Sequence, residues 1–373
     1  MFLCFNTQYI ILITLHFSKG IQIKEKVLGR KQLATEPTTI IDPLSGKEIS
    51  NPKKIRDTSV KYCKRLLTNR EPKDEFKDDL NYKKKVHESI MENKRDDKDE
   101  DLNRSKFESS WNILMRTRKE KYKFIFNGGT ALKETLFELF KTVWRTEKCP
   151  SLWNKTQLIQ LYKGSSDLGI GDLTNYRYLH IKNETSKMFC HMVMSGVKES
   201  LKKNMSSFQM ARPGHRCQEN LFILKSLMAI NEKYDQMIIC QFMDLEKFFD
   251  KEVLIDVLLE AKRNQITNKE YRLLYQLNKK REIRVITPVG ESEEESVDEG
   301  LGQGGLESAI LSSNSIANGL DDFFKESSSE IYYQNLRLKP RGYQDDLTRA
   351  SRTVNDVKAG IARLEAMAEV KLL

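Results

Sequence analysis

Apolar residues return every three or four positions in several stretches of this chain, which is the spacing of an amphipathic helix. The broadest apolar face lies between Thr130 and Pro150 and contains leucine, phenylalanine, valine and tryptophan. Because threonine caps helices and proline ends them, we predict a core helix that begins at Thr130 and ends near Pro150. The same spacing predicts helices at residues 55–67, 186–194, 220–230 and 310–320.

Short apolar runs bounded by polar residues predict strands. They lie at residues 158–162, 237–243, 283–289, Ile331–Tyr333 and Leu336–Leu338. The run at 237–243 is strongly apolar, so we expect it to be buried. The order of strands and helices favours a mixed α+β sheet over a parallel doubly wound one.

Residues 1–18 are apolar but have no basic leading segment and no clear cleavage site. The stretch is also too short and too broken by polar residues for a membrane-spanning helix. We expect a buried strand here, or a misassigned translation start, and a signal peptide stays an open alternative.

Residues 20–104 are polar and contain a dense run of mixed charge at 73–101. This composition is typical of a linker, interrupted by the helix at 55–67. We therefore predict an unassigned segment at 1–30, a charged linker with a helix at 31–105, and folded segments at 106–236 and 237–373.

The composition favours a polyanionic partner. The 373 residues are 39% hydrophobic and 31% charged, with a formal net charge of +10. An excess of lysine and arginine binds phosphates through counterion release. The six cysteines form no C-x-x-C pair, which argues against a disulfide framework or a closed zinc site and for a reducing, intracellular location in the nucleus or cytoplasm.

Carboxylates follow two of the predicted strands. Asp244 directly follows the apolar run at 237–243. Asp345 and Asp346 come after the predicted strands Ile331–Tyr333 and Leu336–Leu338. Mg²⁺ prefers oxygen ligands and is typically held by one or two carboxylates together with substrate phosphates. Asp244 and Asp345 are therefore sufficient for such a site, although a single pair of adjacent acids is more often a solvated turn.

A glycine-rich turn at 300–305 lies between these carboxylates and allows a ligand to approach the backbone closely. Basic residues stand next to predicted strands at Lys163 and Arg177, and Arg212 lies in a basic turn before the helix at 220–230. Taken alone, each of these features is more typical of an ordinary loop or a solvated surface.

In this order, the motifs resemble the polymerase region of non-long-terminal-repeat (LINE-type) retrotransposon reverse transcriptases. The likeness covers residues 109–370 and rests on L-I-x-L-Y-K-G, N-Y-R, A-R-P-G-H-R, F-M-D-L-E-K-F-F-D, G-L-G-Q-G and Y-Q-D-D. It implies the fingers and palm of a right-hand polymerase, with an antiparallel palm sheet packed on helices. Residues 106–236 would be the fingers and 237–373 an incomplete palm, with the thumb absent.

The resemblance also implies a reaction: an RNA-directed DNA polymerase that extends a DNA primer on an RNA template with deoxynucleoside triphosphates. Asp244, Asp345 and Asp346 would be the catalytic carboxylates that hold two Mg²⁺ or Mn²⁺ ions. The Leu245 carbonyl would be a further metal ligand.

Other positions would contact the substrates. By the same resemblance, Lys163 and Arg177 would hold the incoming triphosphate. Gln303 and Gly304 would lie against the template or the nascent base pair, and Arg212 would meet the template backbone.

Phe249 would lie under the sugar of the incoming nucleotide, where a bulky ring leaves no room for a 2′-hydroxyl and so favours DNA synthesis. A viral RNA-dependent RNA polymerase, a third alternative, would be expected to have a second acid there. Without the resemblance, Phe249 is equally well explained as core packing.

The chain departs from the family pattern in three places. The turn after Gln303 and Gly304 lacks the usual Ser or Ala and Pro, the turn expected near Lys121 is replaced by residues 124–129, and the thumb is expected to be missing. We expect neither a thumb nor an endonuclease domain in this chain. The second hypothesis is therefore a catalytically inactive, retroelement-derived remnant that binds nucleic acid, and we expect no membrane partner.

Overall fold

The computed structural model describes residues 3–5, 8–14, 39–68, 76–93, 102–117, 127–164, 169–212, 214–234, 238–245, 247–324, 331–333, 336–338 and 340–371. Two compact units are present. The first comprises Met1–Thr35, Met205–Phe248 and Ser312–Leu373, and the second Glu36–Asn204 and Phe249–Leu311. Because these units do not follow the predicted consecutive segments, the assignment of fingers and palm stays a prediction.

Helices and mostly antiparallel strands make up both units, so the chain is a mixed α+β protein. The helices are α1 (Pro52–Leu66), α2 (Lys77–Glu92), α3 (Arg104–Thr117), α4 (Gly129–Thr146), α5 (Glu184–Asn204), α6 (Cys217–Lys233), α7 (Phe248–Lys251), α8 (Leu254–Arg263), α9 (Asn268–Asn278), α10 (Ser308–Phe324) and α11 (Val354–Lys371). The strands are β1 (Leu3–Phe5), β2 (Gln8–Thr14), β3 (Ile40–Ile41), β4 (Glu48–Ile49), β5 (Lys155–Tyr162), β6 (Tyr176–Lys182), β7 (Ile239–Met243), β8 (Arg281–Thr287), β9 (Gly290–Glu291), β10 (Glu295–Val297), β11 (Ile331–Tyr333), β12 (Leu336–Leu338), β13 (Arg341–Tyr343) and β14 (Asp346–Ser351).

The first unit contains a sheet of order β1-β2-β7-β14-β13 in which every neighbouring pair is antiparallel. β7 lies at its centre, where Met243 pairs with Ile10 of β2 on one side and with Leu347 of β14 on the other. The strand predicted at the start of the chain is therefore present as β1 and β2. The predicted burial of its side chains lies outside the described residues, as does Met237 at the start of the β7 prediction.

Helices contact both faces of this sheet. On one face, Leu227 of α6 packs with Ile238 and Cys240. On the other, the buried Arg349 guanidinium of β14 donates to the Asp356 carbonyl of α11 at 2.8 Å and to the Gln241 side-chain oxygen of β7 at 2.9 Å. The polar side chains inside this face are therefore satisfied by each other and by a helix end.

The second unit contains a sheet of order β10-β8-β5-β6, with β9 paired to β8. β5 is antiparallel to β6 and parallel to β8. Side chains alternate between buried and more exposed along β6 and β8, as expected for a sheet with one covered face. Helix α1 covers that face and buries Ile55 and Tyr62 against Leu158, Tyr178 and Val285.

Helix α2 corrects the linker interpretation of residues 73–101. Despite its high charge, α2 packs on α8 and α9: the buried His87 ring contacts the Tyr271 hydroxyl at 2.9 Å, and Lys83 pairs with Asp256 at 3.0 Å. The buried Arg272 of α9 also donates to the Asn93 carbonyl at the end of α2 at 3.1 Å. A charged helix is held here by polar contacts to its neighbours; residues 73–75 and 94–101 of the run lie outside the described residues.

The other predicted elements are confirmed with shifts of a few residues at their ends, except that the helix predicted at 186–194 continues to Asn204 as α5. The prediction that Thr130 caps its helix is wrong: α4 begins at Gly129, so Thr130 lies inside it, and Gly128 makes no side-chain capping bond. Among the residues that the structure describes, every helix is too short or too polar to span a lipid bilayer.

Candidate active site

The pairing of β7 with β14 brings the predicted carboxylates together. Met243 is opposite Leu347, and continuing this antiparallel register by one residue places Asp244 opposite Asp346. Side chains directly opposite each other have Cβ atoms roughly 4.5–5.5 Å apart. If the register continues in this way, two acids far apart in the sequence would stand side by side at one end of the central strand.

Asp345 lies in the two-residue loop that joins β13 and β14. Tyr343 pairs with Asp346, so only Gln344 and Asp345 connect the strands. Gln344 has a φ of 58°, in the left-handed region that two-residue hairpin loops require. The hairpin thus places Asp345 in the loop at the same end of the sheet, directly before Asp346 in the chain.

The surroundings of the three carboxylates leave room for a ligand. Asp244 and Asp346 are exposed and Asp345 is half-buried. On the α6 side of the sheet, Asp346 borders a cavity of about 220 Å³ whose wall includes Phe242 and Thr348. Carboxylates placed directly opposite each other across two strands repel, and a bound cation removes this cost.

The donor set fits a hard cation: the groups brought together are carboxylate oxygens, with the Leu245 carbonyl next in the chain. Within the described part of the chain, no group of three or more histidine, cysteine, aspartate or glutamate side chains has the arrangement of a complete metal site. A Mg²⁺ site of one or two carboxylates is completed by water and substrate phosphates and does not need a third side chain.

Lys163 and Arg177 lie at the loop end of the β5–β6 hairpin in the second unit. Arg177 pairs with Leu161, and the Lys163 amide donates to the Asn175 carbonyl at 2.8 Å. The Lys163 ammonium lies 3.1 Å from the Thr174 carbonyl oxygen, and both cationic side chains are exposed. The backbones of these two residues are therefore close to each other in the hairpin, and their shared anion site stays a prediction.

The glycine-rich turn lies beside the same hairpin. The Gln303 carbonyl accepts the His180 amide of β6 at 2.9 Å, and Gln303 forms a bridge with Leu179, two residues from Arg177. The Leu301 amide donates to the Phe249 carbonyl at 2.7 Å. Gln303, Phe249 and Arg177 are thus linked through backbone contacts within one unit.

Gly302 and Gly304 explain why this turn is rich in glycine. A Cβ on Gly302 would lie 2.7 Å from the ring of the buried His180, and Gly304 has a φ of 89°. A larger residue at Gly302 would clash, and at Gly304 it would be strained.

A buried ion pair anchors the residues that follow the turn. Lys182 of β6 lies 2.5 Å from Glu307, and its ammonium also donates to the Asn278 side-chain oxygen at 2.8 Å. Burial alone raises the pKa of the Glu307 carboxyl, but the Lys182 ammonium outweighs this and lowers it to about 2. Glu307 occupies the segment in which the chain departs from the family pattern, and its role was not predicted.

Arg212 lies in the first unit, where its guanidinium donates to the Met205 carbonyl at 3.3 Å. Burial, together with the nearby Arg212 charge, lowers the pKa of Arg341 on β13. Two cations therefore stand near the strand that leads to Asp345.

Gln209 is a second residue that the sequence interpretation missed. It is fully buried, and its side-chain amide contacts the backbone of Gln344 in the carboxylate hairpin. The only sequence signal was its position three residues before Arg212 in the A-R-P-G-H-R stretch.

Comparisons with known proteins give structural neighbours only. No protein-family model and no curated protein matches the sequence. The fold is similar to apo telomerase from Candida tropicalis truncated from its C-terminal domain, with a TM-score of 0.41 and 8% identity over 62% of this chain and 51% of that chain. It is also similar to telomerase from Candida albicans in complex with a TWJ fragment of telomeric RNA, with a TM-score of 0.43 and 10% identity over 65% of this chain and 46% of that chain. The chain spans about half the length of these neighbours.

Proposed function

We propose that this chain is the fingers and palm region of an RNA-directed DNA polymerase of the LINE-type retrotransposon class. The observation that carries the proposal is the β7–β14 register, which ends at the pair of Met243 and Leu347. Its continuation would set Asp244 opposite Asp346, with Asp345 in the adjoining loop. The order of the sequence motifs supports the assignment to this class.

The reaction is nucleotidyl transfer. The primer 3′-oxygen forms a bond to the α-phosphorus of a deoxynucleoside triphosphate, and the bond from that phosphorus to its bridging oxygen breaks, which releases pyrophosphate. Asp244, Asp345 and Asp346, with the Leu245 carbonyl, would hold two Mg²⁺ or Mn²⁺ ions. When bound, such ions stabilise charge on the attacking and leaving oxygens.

The residues of the second unit would bind and orient the nucleotide. Lys163 and Arg177 are adjacent exposed cations that can contact triphosphate oxygens. The Phe249 ring would exclude a ribose 2′-hydroxyl. Gln303 and Gly304 would lie against the base pair, where the glycine backbone permits close approach.

The macromolecular partners are an RNA template and a DNA primer. The net charge of +10 favours both polyanions. In the first unit, Arg212 and Arg341 would meet the template backbone. A nuclear or cytoplasmic location belongs to the same proposal, since the chemistry needs both nucleic acids and deoxynucleotides.

A second candidate function is nucleic-acid binding without catalysis. It is favoured by the two turns in which the chain departs from the family pattern, after Gln303 and Gly304 and near Lys121. The two candidates share a basic surface and differ in whether the carboxylates at Asp244 and Asp345 act on a substrate.

Single-nucleotide extension of a DNA primer on an RNA template separates them. With Mg²⁺ or Mn²⁺, we expect the wild type to add a deoxynucleotide but not a ribonucleotide. Asp345→Asn should lower the rate by at least roughly 100-fold, the scale on which one group that stabilises charge acts. Asp321→Asn, the same change on α10, is the matched control and should extend like the wild type.

Nucleic-acid binding, measured by fluorescence anisotropy, completes the test. Binding without extension in a folded wild type would favour the second candidate. Undiminished extension by Asp345→Asn would overturn the assignment of the carboxylates, and efficient use of ribonucleotides would indicate an RNA polymerase instead.

A further inference from the structure

The Gln209 side chain forms two hydrogen bonds to the loop that contains Asp345. Its side-chain oxygen accepts the Gln344 amide at 2.9 Å, and its NH₂ group donates to the Gln344 carbonyl at 3.2 Å. Gln209 is fully buried, so these bonds do not compete with water. The Gln209 side-chain amide thus bonds both the N–H and the C=O group of Gln344.

The backbone around Gln209 fixes the position of this amide. The Gly342 amide donates to the Phe208 carbonyl at 2.7 Å, and the Met210 amide donates to the Gly342 carbonyl at 2.8 Å, so the segment runs alongside β13. The Ala211 amide also donates to the Gln209 side-chain oxygen at 2.9 Å. Because this oxygen accepts two backbone N–H groups, the NH₂ group must point toward Gln344.

Gly342 allows this close approach. A Cβ at Gly342 would lie 3.1 Å from the Gln209 side-chain nitrogen and 3.2 Å from Leu347. The hairpin strand is therefore shaped to receive the amide.

The loop needs such support because of its conformation. Gln344 has a φ of 58°, which glycine, asparagine and aspartate adopt far more readily than glutamine. The residue itself therefore does not favour the loop, and contacts from outside must hold it. Gln209 supplies two of these contacts immediately before Asp345.

We infer that Gln209 is a positioning residue: by holding Gln344 in its left-handed conformation, it places the Asp345 carboxylate beside Asp244 for metal binding and nucleotidyl transfer. Gln209 does not touch the reacting atoms. The inference rests on the proposed function for its catalytic part, while its structural part is measurable in the protein alone.

The first test is hydrogen exchange of the Gln344 amide, combined with the affinity for Mn²⁺ measured by electron paramagnetic resonance without nucleotide. Gln209→Met keeps the side-chain length and removes both bonds to Gln344 together with the bond from the Ala211 amide. Gln218→Met, on the exposed start of α6, is the matched control. We expect the Gln344 amide to lose its protection from exchange in Gln209→Met. The Mn²⁺ affinity should fall at least tenfold in this variant and should be abolished in Asp345→Asn. Gln218→Met should leave both unchanged.

A rescue variant tests the mechanism. Glycine adopts a φ of 58° without strain. The double variant Gln209→Met/Gln344→Gly should therefore regain a large part of the Mn²⁺ affinity that Gln209→Met loses. A general loss of packing around residue 209 would not be repaired by a change at residue 344.

A pH profile provides a readout specific to the amide. In Gln209→Glu, the neutral acid can donate to the Gln344 carbonyl but the carboxylate cannot. Primer extension by this variant should fall as the pH rises and the introduced acid ionises, relative to the wild type at each pH. In Gln209→Met, kcat should fall at least tenfold while KM for the primer–template changes by less than twofold, without the added pH dependence.

The outcomes separate the inference from the function on which it rests. A wild type that binds no Mn²⁺ at Asp345 would overturn both. A wild type that binds Mn²⁺ without extending a primer would refute polymerase activity alone, and the exchange and affinity measurements would still decide the role of Gln209. Wild-type protection and Mn²⁺ affinity in folded Gln209→Met would overturn the inference by itself.

Discussion

The buried pair of Lys182 and Glu307 should contribute strongly to the stability of the second unit if either partner alone is removed. The Lys182 and Glu307 side chains are 6% and 2% exposed, and their charged atoms are 2.5 Å apart. In Lys182→Met, the Glu307 carboxylate would remain buried with the Cys190 thiol as its other side-chain partner. Removing one partner of such a pair typically costs about 3–5 kcal/mol.

The pKa of Glu307 gives the pH dependence of this stabilisation. A carboxyl whose pKa is about 2 in the folded state, against an ordinary value of 4.5, contributes about 3 kcal/mol to the free energy of unfolding. Because the folded-state pKa is lowered, this contribution is complete above pH 4.5. It should be lost as the pH falls from 4.5 toward 2.

Urea unfolding at pH 7 of the wild type, Lys182→Met, Glu307→Gln and the double variant would measure the pair. We expect each single variant to lose several kcal/mol and the double variant to lose less than their sum, by at least about 2 kcal/mol. Lys202→Met, on the exposed side of α5, is the matched control and should change stability by less than about 0.5 kcal/mol. Additive single changes, or single changes below about 1 kcal/mol, would refute the reasoning.

Two further predictions concern the segment that includes the glycine-rich turn. Burial, with the nearby Asp298 and Asp256 carboxylates adding to it, raises the pKa of Glu299 to about 7, so its contribution to stability should decline as the pH rises from 4.5 to 7. At pH 8, the free energy of unfolding measured with urea should therefore be higher for Glu299→Gln than for the wild type, by up to about 3 kcal/mol, and the difference should be smaller at pH 5. An equal difference at both pH values would contradict this. Gly302→Ala should lower stability by roughly 1–3 kcal/mol because its methyl group meets the His180 ring, while Gly169→Ala, which meets nothing, should not; equal unfolding curves for the two variants would contradict the clash.

The pattern of apolar and polar residues predicted those helices and strands whose formation depends mainly on their own side chains. The apolar run of β7 and the periodic helix α4 have enough contrast between apolar and polar positions to be recognised alone. Motif resemblance added the expectation that Asp244 and Asp345 belong to one site. The structure pairs β7 with β14, the strands next to these acids, because strand register is set by which faces are buried. The shared site itself stays a prediction.

The features that were missed depend on partners distant in the sequence. Helix α2 has weak amphipathic character and is held by Arg272 and Tyr271, which lie far along the chain. Gln209 and Glu307 are ordinary polar residues in sequence, and only burial against Gln344 and Lys182 gives them a role. Composition could not show this, because their partners are set by tertiary packing.

The central position of β7 has a consequence for how the chain folds. Its partner β14 follows only after Phe249–Leu311, the last part of the second unit, which is inserted between Phe248 and Ser312 of the first. During synthesis, the second unit can collapse on its own contacts, whereas the first must wait for a late strand to close a long loop. The hairpin with Asp345 therefore belongs to the part of the protein expected to form last. Slow folding or early termination of synthesis would prevent the carboxylates from assembling, while the unit that contains Lys163 and Arg177 could still fold.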